Sequence, residues 1–349
     1  MHMIVVPTID VEGVHGADPF NQMILGDIGG DYHGVFEIAG ILSRFGAEGT
    51  FFVDVYESSL WGEDQFEKLC RDLDLRGQDV ELHTHPGWRD DPCDFPWLRA
   101  LKRKQSYVSG SKDFMTKLTR HEQQSLLRDG AAMIESWIGR RPFVHRAGGY
   151  SINADTFHAL RGAGFSMDSS VHYGHRNCHY CPTVMRPAVV EGIFELPVTL
   201  MRYTPSLPFI GRYHRGKLLK TDIDTAWLGE LKHYVDQGLR SGVRYMNLFM
   251  HSYSLITFDP TYRKFRYSRA KADVLAGFIE YCHDRSDVRI MSCRQILSDQ
   301  SIMDYLLGSS DTIIDIRASR HMASLGLKMI KNRIYEHGIG EMLLRRQPH

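Results

Sequence analysis

The sequence lacks the features that mark several broad classes of protein. Its 349 residues carry 42 basic and 42 acidic side chains, so the formal net charge is zero, whereas nucleic-acid-binding proteins are usually markedly basic. It contains no run of apolar residues long enough to predict a membrane-spanning helix. With 43% hydrophobic and 24% charged residues, the composition is typical of a globular protein that does not bind nucleic acid.

Cysteine is sparse, and the opening residues do not resemble an export signal. The six cysteines are scattered apart from one C-x-x-C pair, Cys178 and Cys181. The stretch MIVVPTID has neither the basic segment nor the small-residue cleavage site of a secretory signal peptide. We therefore expect reduced thiols and a cytoplasmic protein.

Short β-rich apolar runs alternate with longer amphipathic runs along most of the chain. Strands are predicted at 3–9, 49–56, 79–83, 142–146, 165–170, 192–198, 243–251 and 288–292. Helices are predicted at 35–46, 63–77, 121–139, 153–164, 224–242 and 269–284. This alternation predicts a parallel sheet with crossover helices, in a closed or nearly closed β/α barrel. A doubly wound open sheet is the alternative.

Two long insertions and a change of pattern after residue 298 divide the chain. Residues 1–298 are assigned to the barrel and 299–349 to a helical, basic C-terminal extension. The first insertion, 86–120, holds Trp88, which is expected either to stack on a sugar ring or to pack in the loop's own core. Segment 317–346 is expected either to pack as a helix or to contact an anionic membrane surface.

The second insertion, residues 171–191, is rich in histidine and cysteine. Its potential ligands are His172, His175, Cys178, His179 and Cys181. A single C-x-x-C pair with nearby histidines has the spacing of a small zinc site, but without a distant partner pair the signal is weak. A loop that faces the substrate is the preferred interpretation.

Chemically useful side chains follow five predicted strands, at the edge where β/α barrels place their active sites. These side chains are Asp10 and Glu12, His83 and His85, Arg146 and Tyr150, Asp168, and His251. Side chains two residues apart on a strand point the same way, so each of the first two pairs converges. Two imidazoles and one carboxylate suit Zn²⁺, Fe²⁺ or Co²⁺, and the other carboxylate could act as a base on water.

The order and content of these stretches resemble the polysaccharide deacetylase superfamily, also called the NodB-homology or carbohydrate esterase family four fold. The stretch TIDVEG at 8–13 is similar to its T-F-D-D-G motif, and HTHP at 83–86 to its H-[ST]-x-x-H-P motif shortened by two residues. Stretches RAGGYS at 146–151, DSS at 168–170 and LFMH at 248–251 are similar to three later motifs. The likeness spans roughly residues 3–295.

The resemblance implies a distorted (β/α)₇ barrel and the removal of an acetyl or formyl group from an N-acylated sugar. It implies one divalent metal ion on Glu12, His83 and His85, with zinc preferred and cobalt, iron or nickel as alternatives. Asp10 would be the base, oriented by Arg146. His251 would be the general acid, supported by Asp168. Tyr150, or the amide beside it, would help to hold the oxyanion.

Three departures from the family pattern leave part of this assignment open. Glu12 stands where an aspartate is usual, so Glu12 and Asp10 could exchange roles. The second histidine is two positions after the first rather than four. Gly148 replaces the usual proline.

The function expected from the sequence is a cytoplasmic, metal-dependent sugar deacylase in surface-polysaccharide or O-antigen assembly. Its expected partner is a nucleotide-linked or lipid-linked sugar, with membrane contact through 317–346, and the sequence does not indicate an oligomeric state. The alternatives are an amidohydrolase-type metal hydrolase acting on a non-sugar amide, or a non-catalytic sugar-binding relative. In the amidohydrolase-type barrel, H-x-H normally follows the first strand, where this chain has Asp10 and Glu12.

Overall fold

A computed structural model describes residues 2–13, 18–90, 114–182, 185–204, 217–259 and 264–317. The strands are β1 (Met3–Val11), β2 (Asp27–Ile28), β3 (Asp31–Tyr32), β4 (Thr50–Asp54), β5 (Asp79–Thr84), β6 (Val144–Ala147), β7 (Met167–Asp168), β8 (Ala188–Val190), β9 (Ile193–Glu195), β10 (Leu200–Thr204), β11 (Lys217–Lys220), β12 (Tyr245–His251), β13 (Ile256–Phe258), β14 (Phe265–Tyr267), β15 (Val288–Ile290) and β16 (Ile313–Arg317).

Ten α-helices connect and cover these strands in the described part of the chain. They are α1 (Val35–Ser43), α2 (Ser58–Trp61), α3 (Glu63–Leu75), α4 (Pro86–Asp90), α5 (Arg120–Ile138), α6 (Ala154–Ala163), α7 (Leu228–Arg240), α8 (Arg269–His283), α9 (Cys293–Leu297) and α10 (Gln300–Leu307). A π-helix covers Phe20–Leu25. No helix among the described residues is both long and apolar enough to cross a bilayer.

The main sheet has the strand order β12-β1-β4-β5-β6-β7-β9-β8 and curls into a half-barrel. Every neighbouring pair along it is parallel except β8 with β9. Strand β15 also pairs in parallel with the start of β1. The predicted distorted β/α barrel is confirmed.

Strand β1 lies at the centre of this arrangement. All nine of its residues are buried, as expected for a parallel strand that is covered on both faces. Its register with β12 runs from Ile4 opposite Tyr245 to Asp10 opposite His251. This register places the polar residues Asp10 and His251 side by side at the carboxyl ends of the two strands.

Local sequence explains where the longer helices begin and end. Thr119 and Glu122 form a reciprocal capping box at the start of α5, and Gly139 ends it with φ of 71°. A left-handed residue there is favourable for glycine because it has no side chain. Asn153 and Thr156 form the same kind of box before α6. These caps define where α5, which packs against β5, and α6, which packs against α5 and β9, begin.

The start of the predicted C-terminal extension differs from a purely helical segment. After α10, residues 313–317 form strand β16, which pairs in parallel with β10, while β11 pairs with β10 on its other side. The stretch TIIDIR places β-branched residues on both faces of an extended segment, which favours a strand. Residues 318–349, which include most of the predicted basic segment, lie outside the described residues, and the boundary at 298 stays a prediction.

Replacement of Phe66 by alanine should destabilise the fold strongly. Phe66 is fully buried in α3, with its ring 5.2 Å from that of Phe20. We expect a loss of about 3–5 kcal/mol in the free energy of unfolding, because a buried cavity forms. Leu75 on the same helix is 84% exposed, and Leu75→Ala should cost less than about 0.5 kcal/mol. Equal losses in urea titrations of the two variants would contradict the packing of α3.

Candidate metal centre and active site

The parallel register brings several strand ends together at one edge of the sheet. Asp10 of β1 lies opposite His251 of β12. On the other side, His83 of β5 lies between Asp54 of β4 and Arg146 of β6. Because all of these strands point the same way, their carboxyl ends form a single edge. Residues that are more than two hundred positions apart therefore share one site.

Glu12, His83 and His85 form a group that could hold a metal ion. One ligand atom from each lies within 4.8 Å of the others, and no other such group is found among the described residues. The Nε2 atoms of His83 and His85 lie 3.4 and 2.9 Å from Oε2 of Glu12. All three side chains are buried. The convergence of the two histidines is the geometry predicted from their spacing.

A backbone carbonyl fixes the tautomer of His83. Its Nδ1 lies 2.8 Å from the carbonyl oxygen of Arg146. A carbonyl can only accept a hydrogen bond, so Nδ1 carries a proton and donates it. The Nε2 atom is then directed at Glu12. A hydrogen bond of this kind from the second ring nitrogen is usual for metal-binding histidines.

The charge balance of the group also favours a cation. Burial alone would raise the pKa of Glu12, but hydrogen bonds from His83 and His85 outweigh it and hold the pKa well below its usual value. Burial alone would lower the pKa of His83, but Asp10 and Glu12 outweigh it and raise the pKa. Two carboxylates therefore draw positive charge to this point, whether as a proton or as a metal ion.

The absence of a side chain at Gly148 makes room for His85. A Cβ at position 148 would lie only 2.4 Å from Nε2 of His85 and 2.5 Å from two of its ring carbons. Any residue larger than glycine would therefore displace the imidazole. The position of His85, two residues after His83, is thus possible because residue 148 is glycine.

Asp10 is held in an ion pair on the other side of the group. Nη1 of Arg146 donates to Oδ1 of Asp10 at 2.8 Å, and both residues are buried. The remaining guanidinium nitrogens donate to the carbonyl oxygen and the hydroxyl of Ser169. The guanidinium also lies over the rings of Phe52 and Phe249, 4.3 and 4.9 Å from their centroids. The structure thus places Asp10 with Arg146 and Glu12 with the two histidines.

His251 completes the same edge, and its carboxylate neighbour is Asp224. Nε2 of His251 lies 3.7 Å from Oε1 of Glu12, and Nδ1 lies 3.9 Å from Oδ2 of Asp224. Asp224 accepts hydrogen bonds from Ser254 and Lys271, both at 2.7 Å. Burial alone would raise the pKa of Asp224, but Lys271 and His251 outweigh it and hold the pKa far below its usual value. Asp224 is therefore an anion.

Asp168 does not occupy the place next to His251 that was predicted for it. Its Oδ1 lies 2.8 Å from Nδ1 of His145, and it accepts hydrogen bonds from the backbone and hydroxyl of Ser170. Ser170 in turn accepts a hydrogen bond from the backbone N–H of Ala147. Asp168 therefore braces the end of β6 from within the core. The sequence located Asp168 at a strand end but could not identify its neighbours.

Two further carboxyl groups, Asp54 and Glu57, are buried behind the candidate metal ligands. Both oxygens of Glu57 accept from the backbone N–H of Gly13, next to Glu12. Within the described residues, Oδ2 of Asp54 has no hydrogen-bond partner. Burial raises the pKa of Asp54 to about 7, with the nearby histidines opposing the rise and Glu12 adding to it. Burial and the proximity of Asp54 also raise the pKa of Glu57 well above its usual value.

The two predicted substrate-binding residues have different surroundings. Trp88 is 4% exposed and belongs to the main hydrophobic core, so its ring faces are not available to a sugar. Trp88 therefore packs in the main core of the protein, a position that differs from both predicted ones. Tyr150 is half-buried, and its hydroxyl accepts a hydrogen bond from Nζ of Lys220 at 2.7 Å. Its φ of 57° is unusual for a residue with a side chain.

The histidine-rich loop packs against Tyr150. The rings of His172 and His175 lie 4.7 and 4.9 Å from that of Tyr150. The Sγ atom of Cys178 donates to the carbonyl oxygen of Tyr180. The loop residues are not among the metal-holding groups found in the described residues. The structure therefore supports a loop that borders the active site and does not support a second zinc site.

The sequence analysis missed Asp54, Glu57, Asp224 and Lys220. Asp54 ends strand β4 but lies inside the strand predicted at 49–56, so the strand-end rule would have found it only with the correct strand boundary. Asp224 and Lys220 lie beside the small sheet of β10, β11 and β16, for which no strand was predicted. Without that sheet, the sequence offered no signal that would place either residue near Asp10.

Stability of the metal-free protein should depend on pH through Asp54. Because its pKa is about 7 in the folded protein and about 3.9 when unfolded, the contribution of Asp54 to stability is complete below about pH 4 and declines by a few kcal/mol as pH rises to 7. Asp54→Asn should remove much of this decline, because asparagine resembles the protonated carboxyl group. The exposed Asp64→Asn serves as control in chelator-treated protein. A decline that is unchanged in Asp54→Asn would contradict this role.

Comparison with solved structures identifies the fold. A putative polysaccharide deacetylase from Mycobacterium smegmatis superimposes with a TM-score of 0.51 and 19% identity, covering 88% of this chain and 90% of that one. A family 4 carbohydrate esterase from Streptomyces lividans gives 0.40 and 12%, covering 83% and 91%. A CE4 family pseudoenzyme from Bacillus anthracis gives 0.43 and 12%, covering 85% and 66%.

At this level of identity the likeness concerns the fold. The sequence matches no protein-family model and no curated protein with significance. The Mycobacterium smegmatis structure is similar over nearly the whole length of both chains. The resemblance predicted from the strand-end motifs is therefore confirmed for the fold, and the chain has the fold of the polysaccharide deacetylases.

Proposed function

We propose that this protein is a metal-dependent hydrolase that removes an acetyl or formyl group from an N-acylated sugar. The observation that carries the proposal is the placement of Glu12, His83 and His85 beside the buried pair of Asp10 and Arg146. We further propose a nucleotide-linked or lipid-linked sugar of surface-polysaccharide or O-antigen assembly as the substrate. The reaction would then take place in the cytoplasm or at the inner face of the membrane.

The residues present fit a divalent metal ion. Two imidazole nitrogens and one carboxylate oxygen converge, and Nδ1 of His83 is occupied by the Arg146 carbonyl so that Nε2 faces the group. Such a donor set suits zinc, with cobalt, iron or nickel as alternatives, and leaves coordination positions open. A bound divalent ion would supply a Lewis acid that polarises the amide carbonyl and acidifies water.

Asp10 is the residue that we assign as general base. It lies two residues from Glu12 on the same strand end, and Arg146 holds one of its oxygens at 2.8 Å. The other carboxylate oxygen is assigned to accept a proton from the attacking water. The buried guanidinium keeps Asp10 oriented throughout. Glu12, which both histidines contact, is assigned to the metal.

His251 is assigned as the general acid that protonates the departing amine. Its side chain is 21% exposed, so it can reach a substrate from the solvent side. Asp224 lies 3.9 Å from its other ring nitrogen. Asp224 is thus a positioning residue for His251. Tyr150, whose ring lies against Phe249 as that of His251 does, is assigned to substrate binding.

Asp10→Asn should abolish most of the proposed activity. Asparagine keeps the size of the side chain but cannot accept a proton. We expect kcat/KM for acetate release from a nucleotide-linked sugar, UDP-N-acetylglucosamine, with zinc-loaded protein, to fall at least about 100-fold. Asp273→Asn, on the exposed face of α8, should retain full activity. An Asp10→Asn variant that keeps wild-type activity would refute the assignment, and an inactive wild type would leave the non-catalytic alternative.

Asp224→Asn should weaken the reaction rather than abolish it, because His251 loses the anion that orients its ring. We expect kcat to fall about tenfold with KM nearly unchanged. Asp224→Glu, which keeps the charge, should recover part of the loss. A rise in KM with kcat unchanged, or no recovery in Asp224→Glu, would show that Asp224 has only a structural role.

A further inference from the structure

A half-buried lysine beside the active site has no acidic partner in the described structure. Lys220 is the last residue of β11, and its Nζ donates to the hydroxyl oxygen of Tyr150 at 2.7 Å. The same nitrogen lies 3.7 Å from the centroid of Phe249 and 5.4 Å from that of Tyr150. Among the described carboxylates, none forms an ion pair with it. Asp222, two residues away, instead accepts hydrogen bonds from Thr225.

Partial burial of an unpaired ammonium group is costly. Lysine is rarely buried unless it is paired, because removal of its charge from water is unfavourable. The aromatic rings of Tyr150 and Phe249 offset part of that cost through cation–π contact. The ammonium has three N–H donors, of which one bonds to Tyr150. Two donors therefore remain for a partner that arrives from outside the protein.

The groups that contact Lys220 contribute further donors, whereas Asp222 and Asp10 attract its charge only from a longer distance. Tyr150 accepts the hydrogen bond from Lys220, so its own hydroxyl proton is free to be donated to a ligand. Burial and the charge of Lys220 lower the pKa of His172 to about 3 and that of His175 to about 4. Both imidazoles are therefore neutral at pH 7. The cluster of Tyr150, His172, His175 and Lys220 carries a single positive charge.

This cluster lies one aromatic ring away from the proposed catalytic residues. The ring of Phe249 contacts Lys220, lies under the guanidinium of Arg146 and has its centroid 5.1 Å from that of His251. Lys220 therefore contacts the same aromatic ring as Arg146 and His251, which flank the proposed reaction site. A sugar bound with its N-acyl group at Asp10 would have a substituent on the side of Lys220.

We propose that Tyr150, His172, His175 and Lys220 form a subsite for an anionic substituent of the substrate, either a carboxylate or a phosphate. The inference rests on the proposed function and deepens it, because it restricts the N-acylated sugar to an acidic one. Lys220 supplies the charge and two N–H donors, and Tyr150 supplies its hydroxyl. A neutral sugar would leave the ammonium without a partner.

The test is a comparison of binding and turnover for three N-acetylated sugars. N-acetylglucosamine is neutral, N-acetylglucosamine 1-phosphate carries a phosphate, and N-acetylmuramic acid carries a carboxylate. Dissociation constants from calorimetry, with zinc-loaded protein, do not depend on turnover. The variant is Lys220→Met, which keeps the length of the side chain. The matched control is Lys232→Met, because Lys232 is also half-buried over a ring, that of Tyr281 at 4.9 Å.

We expect the wild type and Lys232→Met to bind at least one acidic sugar about tenfold more tightly than the neutral one. Lys220→Met should lose this preference. The acidic sugar that the wild type prefers shows whether the subsite binds a carboxylate or a phosphate. If Lys220→Met does not fold, Lys220→Gln replaces it.

Equal affinity of the wild type for all three sugars would overturn the subsite. An equal loss for all three in Lys220→Met would do the same, because it would indicate a role in the reaction or in structure. A protein that prefers an acidic sugar but releases no acetate would retain the subsite and refute the hydrolase. A protein that releases acetate without that preference would refute the subsite alone.

Discussion

The buried ion pair between Arg146 and Asp10 is the interaction on which the rest of the active site depends. Arg146 is fully buried, and its guanidinium is satisfied by Asp10 and Ser169. Its backbone carbonyl sets the tautomer of His83, and the ring of Phe249 links it to Lys220. Removal of one partner from such a buried pair typically costs about 3–5 kcal/mol. The same residue therefore organises the base, a metal ligand and the wall of the substrate site.

The departures from the usual deacetylase pattern are explained by one local arrangement. His85 is two residues from His83 and reaches Glu12 only because Gly148 leaves space for its ring. Glu12 has a longer side chain than aspartate and meets both imidazoles, while Asp10 keeps its partner Arg146. The three departures are compatible with one another in a group that could hold a metal ion. This is why the altered motifs do not by themselves indicate a loss of catalytic function.

The sequence predicted the parts of the site that follow from strand periodicity. Asp10, Glu12, His83 and His85 were located because residues two apart on a strand share a face and because parallel strands end at one edge. To predict that these four residues are neighbours, only the parallel arrangement of their strands was needed. The buried strand of residues 3–9 was recognisable for the same reason, since its residues are apolar almost without interruption.

The rest depended on contacts that periodicity does not encode. Asp168 was at the predicted strand end, but its side chain turns to His145 instead of His251. Asp224 and Lys220 are brought in by a small sheet whose strands are short and distant in sequence. Trp88 was predicted either to stack on a sugar or to pack in its own loop, whereas it is buried in the main core of the protein.

The most direct test of the account is the metal content of the purified protein. We predict about one divalent ion per chain in the wild type and almost none in a His83→Ala/His85→Ala double variant. A double variant of two exposed histidines, His121→Ala/His283→Ala, should keep the full complement. If the wild type binds no metal after reloading with zinc, cobalt or iron, or if the double variant keeps its ion, the proposed metal centre is wrong.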